Sequence, residues 1–140
     1  MNHQEAHNQR NAGSQPQRVA RICNLLKDLN TSFLDAIRAL NKPHSAAQSF
    51  DFWENELSAR IAMMGSLLRH AQEGGNAISG SPAIAACVRK EFSIKQIENF
   101  KRQIAALYRG KRIDKWQKES LEKLLSDASK LVKGAILKAH

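Results

Sequence analysis

The sequence predicts an all-α protein, a bundle of about five or six helices preceded by a disordered N-terminal arm. Three observations carry this. Apolar residues recur at three- and four-residue spacing along most of the chain, no segment shows the strict alternation of a strand, and the breaks between stripes hold residues that start or stop helices. With 140 residues, 42% of them hydrophobic and only three prolines and seven glycines, the chain has the size and composition of one globular unit with one core.

Residues 1–17 are polar and offer almost nothing to bury, so they are expected to form a flexible arm, with residues 18–140 as the single helical domain. From Gln17 to Leu29, Val19, Ile22, Leu25, Leu26 and Leu29 fall on one helical face. Asn30, Thr31 and Ser32 interrupt that pattern with residues suited to capping a new helix. Phe33, Leu34, Ile37 and Leu40 then form a second stripe up to Pro43. The two stripes fit either one kinked helix or a tight helical pair.

The segment from Ser49 to Glu73 has the longest pattern. Phe50, Trp53, Leu57, Ile61, Met64, Leu68 and Ala71 keep to one seam over about six turns. Asp51 and Glu54 have capping-box spacing, and Phe52, Met63 and Leu67 widen the apolar stripe. The seam could serve inside one chain or between two, which leaves a homo-oligomer open. Gly74 and Gly75 end the helix and open a glycine- and serine-rich loop through residue 80.

Ser81-Pro82 supplies a cap and a first-turn proline for a short helix to about Phe92. Ser93 and Gln96 repeat the capping-box pattern before a helix whose apolar side is Ile94, Ile97, Phe100, Ile104, Leu107 and Tyr108, with Gly110 at its end. The last helix starts near Ile113 and carries Trp116, Leu121, Leu124, Leu125, Ala128, Leu131, Val132 and Ala135 on one arc.

Few chemistries find support in this sequence. The 74–80 loop lacks the lysine and spacing of a P-loop, and His3 and His7 have no neighbouring ligands to complete a metal shell. No cofactor or metal is expected. Cys23 and Cys87 sit within apolar segments and are expected to be buried free thiols. No stretch has the length of an apolar transmembrane span, and the first residues lack the pattern of a secretory signal, so the expected location is cytoplasmic or nuclear.

Arg38 and His44 have the spacing of the arginine–histidine pair in small helical ribonucleases of the HEPN family. That resemblance implies RNA cleavage with arginine on phosphate charge and histidine moving a proton. It covers two residues, and Pro43 and Ala39 depart from the family pattern.

Charge is the stronger lead. Up to Val88 there are eight basic and seven acidic residues, against fourteen and six from Arg89 onward, so nearly all of the formal +9 lies in the last part. Lys95, Arg102 and Arg109 are seven apart on the face opposite Ile97, Phe100 and Ile104, and Lys111, Arg112, Lys115 and Lys118 follow through a turn into the last helix. Cations, free amides and a positive helix end suit phosphate groups. These seven residues are the expected contacts of a non-enzymatic nucleic-acid-binding module for the DNA or RNA backbone. A protein-binding adaptor, inhibitor or effector, meeting an acidic protein through the same surface or an apolar groove, is the alternative. Phe100 and Tyr108 are expected in the core, while Trp116 fits packing, base stacking or a lipid interface.

Overall fold

The computed structural model describes residues 14–42, 46–73 and 82–137, and the side chains among them other than those of 14–16, 46–49, 70–73 and 135–137. The chain is all-helical over these residues: α1 (Ser14–Leu40), α2 (Ala46–Glu73), α3 (Pro82–Glu91), α4 (Ile94–Arg109) and α5 (Lys115–Leu137). Helix α1 packs on α2, α3 and α4, and α5 closes the other side against α2, α3 and α4. No helix among the described residues is long and apolar enough to cross a membrane.

The apolar stripes become the core. Ile22, Leu26, Leu29, Phe33 and Leu40 of α1 meet Phe50, Leu57, Met64 and Leu68 of α2, and Phe100, Ile104, Leu121, Leu125 and Ala128 of α4 and α5 complete the cluster. The α2 seam from Phe50 to Leu68 is thus packed within one chain, with Trp53 half-buried, and the Ala71 side chain lies outside the described ones. The flanks of the seam are not packed: Phe52 and Met63 are each 55% exposed, so the stripe is narrower than the sequence suggests. Phe52 rests edge-on against Trp53, with ring centroids 4.9 Å apart.

Helix α1 runs unbroken through Asn30, Thr31 and Ser32, correcting the expected interruption, and it begins at Ser14, inside the stretch expected as an arm. Each of these polar residues costs a helix interior only about half a kcal/mol. Packing of the two stripes on one continuous face outweighs that. Ser32 is buried, and the Asn30 side chain accepts a hydrogen bond of 2.7 Å from Gln96 Nε2 on α4. Asp51 does not cap α2 either, because the helix already starts at Ala46. Glu54 instead accepts from the Ser120 hydroxyl, joining α2 to α5.

Cys23 and Cys87 are not free thiols. Their Cα atoms lie 5.6 Å apart and the sulfurs form a disulfide between α1 and α3. Spacing of 64 residues gave no sign of the pairing; the packing of α3 across α1 brings the two together. Helix α3 is only ten residues long and buries Ile84 and Val88, so the bridge is a large part of its attachment.

Candidate functional site

The basic surface is built around the junction of α4 and α5. Helix α4 starts where the sequence places it: Ser93 is the N-cap, its hydroxyl accepting from Gln96 N at 3.1 Å. Ile97, Phe100, Ile104 and Leu107 turn inward, which leaves Lys95, Arg102 and Arg109 exposed on the outer face. Ile94, expected on the apolar side, is 72% exposed in the first position of the helix.

The end of α4 has an unusual residue order. Arg112 N donates to Leu107 O at 2.9 Å and Lys111 N to Tyr108 O at 3.0 Å, the paired bonds of a Schellman motif. The left-handed position in that motif is Lys111, with φ of 59°, while Gly110 before it has an ordinary φ of −79°. A side chain at such a position costs roughly 1–2 kcal/mol. Lys111→Gly is therefore expected to raise stability by about 1 kcal/mol, read as a higher urea midpoint at unchanged slope. A lower midpoint would contradict this account of the turn.

The start of α5 corrects one expectation. Its amides are not all open to a phosphate. Gln117 N donates to Asp114 Oδ1 at 2.7 Å, and Asp114 N donates to Gln117 Oε1 at 2.9 Å, a reciprocal capping box. The Asp-x-x-Gln pattern was visible in the sequence as the signal for it. Any anion held here meets side-chain cations more than helix amides.

Those cations converge. Arg109, Lys111, Arg112 and Lys115, with Tyr108 and Asp114, line an open depression of about 710 Å³ at the α4–α5 turn. Among the described residues none of the four cations forms an ion pair, and Asp114 is the one carboxylate in the lining. Lys118 stands beside it, half-buried, its Nζ 5.5 Å from the centre of the Tyr108 ring and 3.3 Å from Glu122 Oε2. Lys95 and Arg102 do not join this cluster. They extend the basic face along α4, with Lys95 about 21 Å from Arg109 at 1.5 Å per residue.

One aromatic residue differs from expectation, and a second, left open between packing and an outward role, is found exposed. Tyr108, expected in the core, is 40% exposed, and Trp116, placed on the apolar arc of α5, is 64% exposed. Trp116 sits in the first turn, before α5 is fully covered, and touches the bundle through Phe50, with ring centroids 6.0 Å apart. Its place on the apolar arc of the last helix left packing and exposure equally open.

Elsewhere there is less to assemble. Arg38 is exposed and pairs with Asp35 at 3.8 Å, while His44, its expected ribonuclease partner, lies outside the described residues, as do His3, His7 and the 74–80 loop. Among the described residues no group of three histidine, cysteine or acidic side chains could hold a metal ion. Compared with protein-family models, with curated proteins and with solved structures, the chain matches none, so its function has to be read from its own residues.

Proposed function

We propose that the chain is a non-enzymatic nucleic-acid-binding module that contacts phosphates through Arg109, Lys111, Arg112 and Lys115, with Lys118, Arg102 and Lys95 extending the surface. The observation that carries this reading is the convergence on one open depression of four cations that have no ion-pair partner among the described residues. Unpaired lysine and arginine side chains release counterions when they neutralise phosphates, which gives binding that is strong at low salt and indifferent to base sequence.

Reversing Arg109, Lys111 and Arg112 to glutamate tests it. Affinity for nucleic acid of unrelated sequences is expected to fall at least about tenfold near 100 mM salt, because each lost phosphate contact also lowers the salt slope by about one. The control reverses Arg21, Lys27 and Lys42, which are exposed and lie in the near-neutral part of the chain. Equal losses from both sets would reduce the effect to bulk charge, and unchanged affinity after the first reversal would remove this surface from consideration.

A second observation favours the acidic-protein reading. Val88, Phe92, Ile97 and Val132 floor an apolar groove of about 300 Å³ where α3, α4 and α5 meet, rimmed by Arg89, Lys95 and Lys133. An acidic amphipathic helix matches that pattern of apolar floor and basic rim. Charge reversal at Arg89 and Lys133 that abolishes a protein complex, with nucleic-acid affinity unchanged, would favour this second reading.

A further inference from the structure

Two exposed aromatic residues at the α4–α5 junction, Trp116 and Tyr108, narrow the kind of nucleic acid that suits this surface. An indole left 64% exposed forgoes much of the apolar burial that a tryptophan normally provides, and Trp116 does so in the residue directly after Lys115. Its ring is not loose: Phe50 supports it from inside the bundle, and it stands in the first turn of a 23-residue helix. Tyr108 has a similar position in the last turn of α4. Lys118 lies over its ring, and the residue remains 40% exposed at the wall of the basic depression.

Paired bases in a duplex hide their faces in the stack. Unpaired bases offer them, and proteins that hold single strands combine cations along the backbone with aromatic side chains for the bases. The junction supplies both within a few residues, with Arg109, Lys111, Arg112 and Lys115 placed between Tyr108 and Trp116 in the chain. Building on the phosphate-binding reading above, we propose that this surface takes single-stranded nucleic acid, with unpaired bases stacking on Trp116 and Tyr108 while the four cations hold the phosphates.

A lipid surface is the competing use for an exposed tryptophan, but it calls for a continuous apolar face. At this junction both exposed rings are next to lysines or arginines instead, at Lys115 for Trp116 and at Arg109 for Tyr108.

The chain has two tryptophans, so Trp53→Phe makes Trp116 the sole indole reporter. Titrating this variant with a twelve-residue oligothymidylate is expected to quench its emission, while a duplex of equal phosphate content leaves it nearly unchanged. Trp116→Ala is expected to weaken oligothymidylate binding about tenfold and duplex binding less than twofold, with Trp116→Phe recovering most of the loss. Equal affinity for both forms without quenching, when the Arg109, Lys111 and Arg112 reversal still abolishes both, would overturn stacking and leave the phosphate reading intact. A blue shift on phosphatidylglycerol vesicles with no response to the oligonucleotide would overturn it in favour of lipid. No binding of the wild-type chain to either nucleic acid at low salt would overturn the phosphate reading and this inference with it.

Discussion

Replacing Phe100 by alanine is expected to cost about 3–5 kcal/mol, the usual loss for a phenylalanine truncated in a tight core. Phe100 is fully buried and stacks on Phe33 with centroids 5.1 Å apart, while Phe92 approaches both rings at 6.1 and 6.2 Å. The three rings come from α1, from the joint between α3 and α4, and from α4. Removing the central one therefore leaves a cavity and two unsupported aromatic edges. Against a total stability of about 5–15 kcal/mol for a domain, the loss threatens folding itself. Phe100→Leu keeps most of the volume and is expected to restore the greater part of it. Urea unfolding followed by circular dichroism measures both, and a cost below about 1 kcal/mol for the alanine variant would mean that the rings do not form the centre of the core.

Phe33 and Phe100 were readable as core residues because each lies on a long apolar stripe whose period needs only local sequence. The Ser93 cap was readable for the same reason: the hydroxyl and the Gln96 amide it serves are three residues apart. What the sequence did not reveal depends on contacts far apart in the chain. Gln96 fits a capping box, yet its side chain reaches Asn30, 66 residues away, because α4 lies across the middle of α1. That one contact turns a capping pattern into a helix–helix bond and ties the presumed break in α1 to α4.

The candidate site divides in the same way. Lysine and arginine content at the α4–α5 turn is a property of neighbouring residues, and it predicted the cluster at Arg109, Lys111, Arg112 and Lys115. Exposure of Trp116 and Tyr108 depends on how far each helix extends past its neighbours, which periodicity does not encode. The stripe pattern assigned Tyr108 to the buried side and left Trp116 open between packing and an outward role, and both stand exposed at the facing ends of α4 and α5.

Breaking the bridge between Cys23 and Cys87 is expected to cost about 2–4 kcal/mol, second only to the loss at Phe100. Closing a loop of this length removes conformational entropy from the unfolded chain worth about 4 kcal/mol, and strain or residual structure usually lowers the measured value. The cost should be concentrated at α3. That helix buries only Ile84 and Val88, beside a half-buried bridge, so reduction is expected to raise amide exchange across Pro82–Glu91 before the rest of the bundle responds. Cys23→Ala with Cys87→Ala, compared with the wild type with and without dithiothreitol, separates the bridge from the packing of the side chains. The reduced wild type and the double variant should unfold at similar denaturant concentrations, both below the oxidised protein. The same bridge bears on where the chain works. A cytoplasmic or nuclear location, expected from the sequence, keeps thiols reduced, whereas an oxidising compartment preserves a disulfide. Alkylation of the protein immediately on isolation distinguishes them: two modified cysteines would indicate a reducing environment in which α3 is held by packing alone, and none would place the folded, bridged form in an oxidising one. Identical unfolding curves for oxidised and reduced protein would show that α3 does not need the bridge.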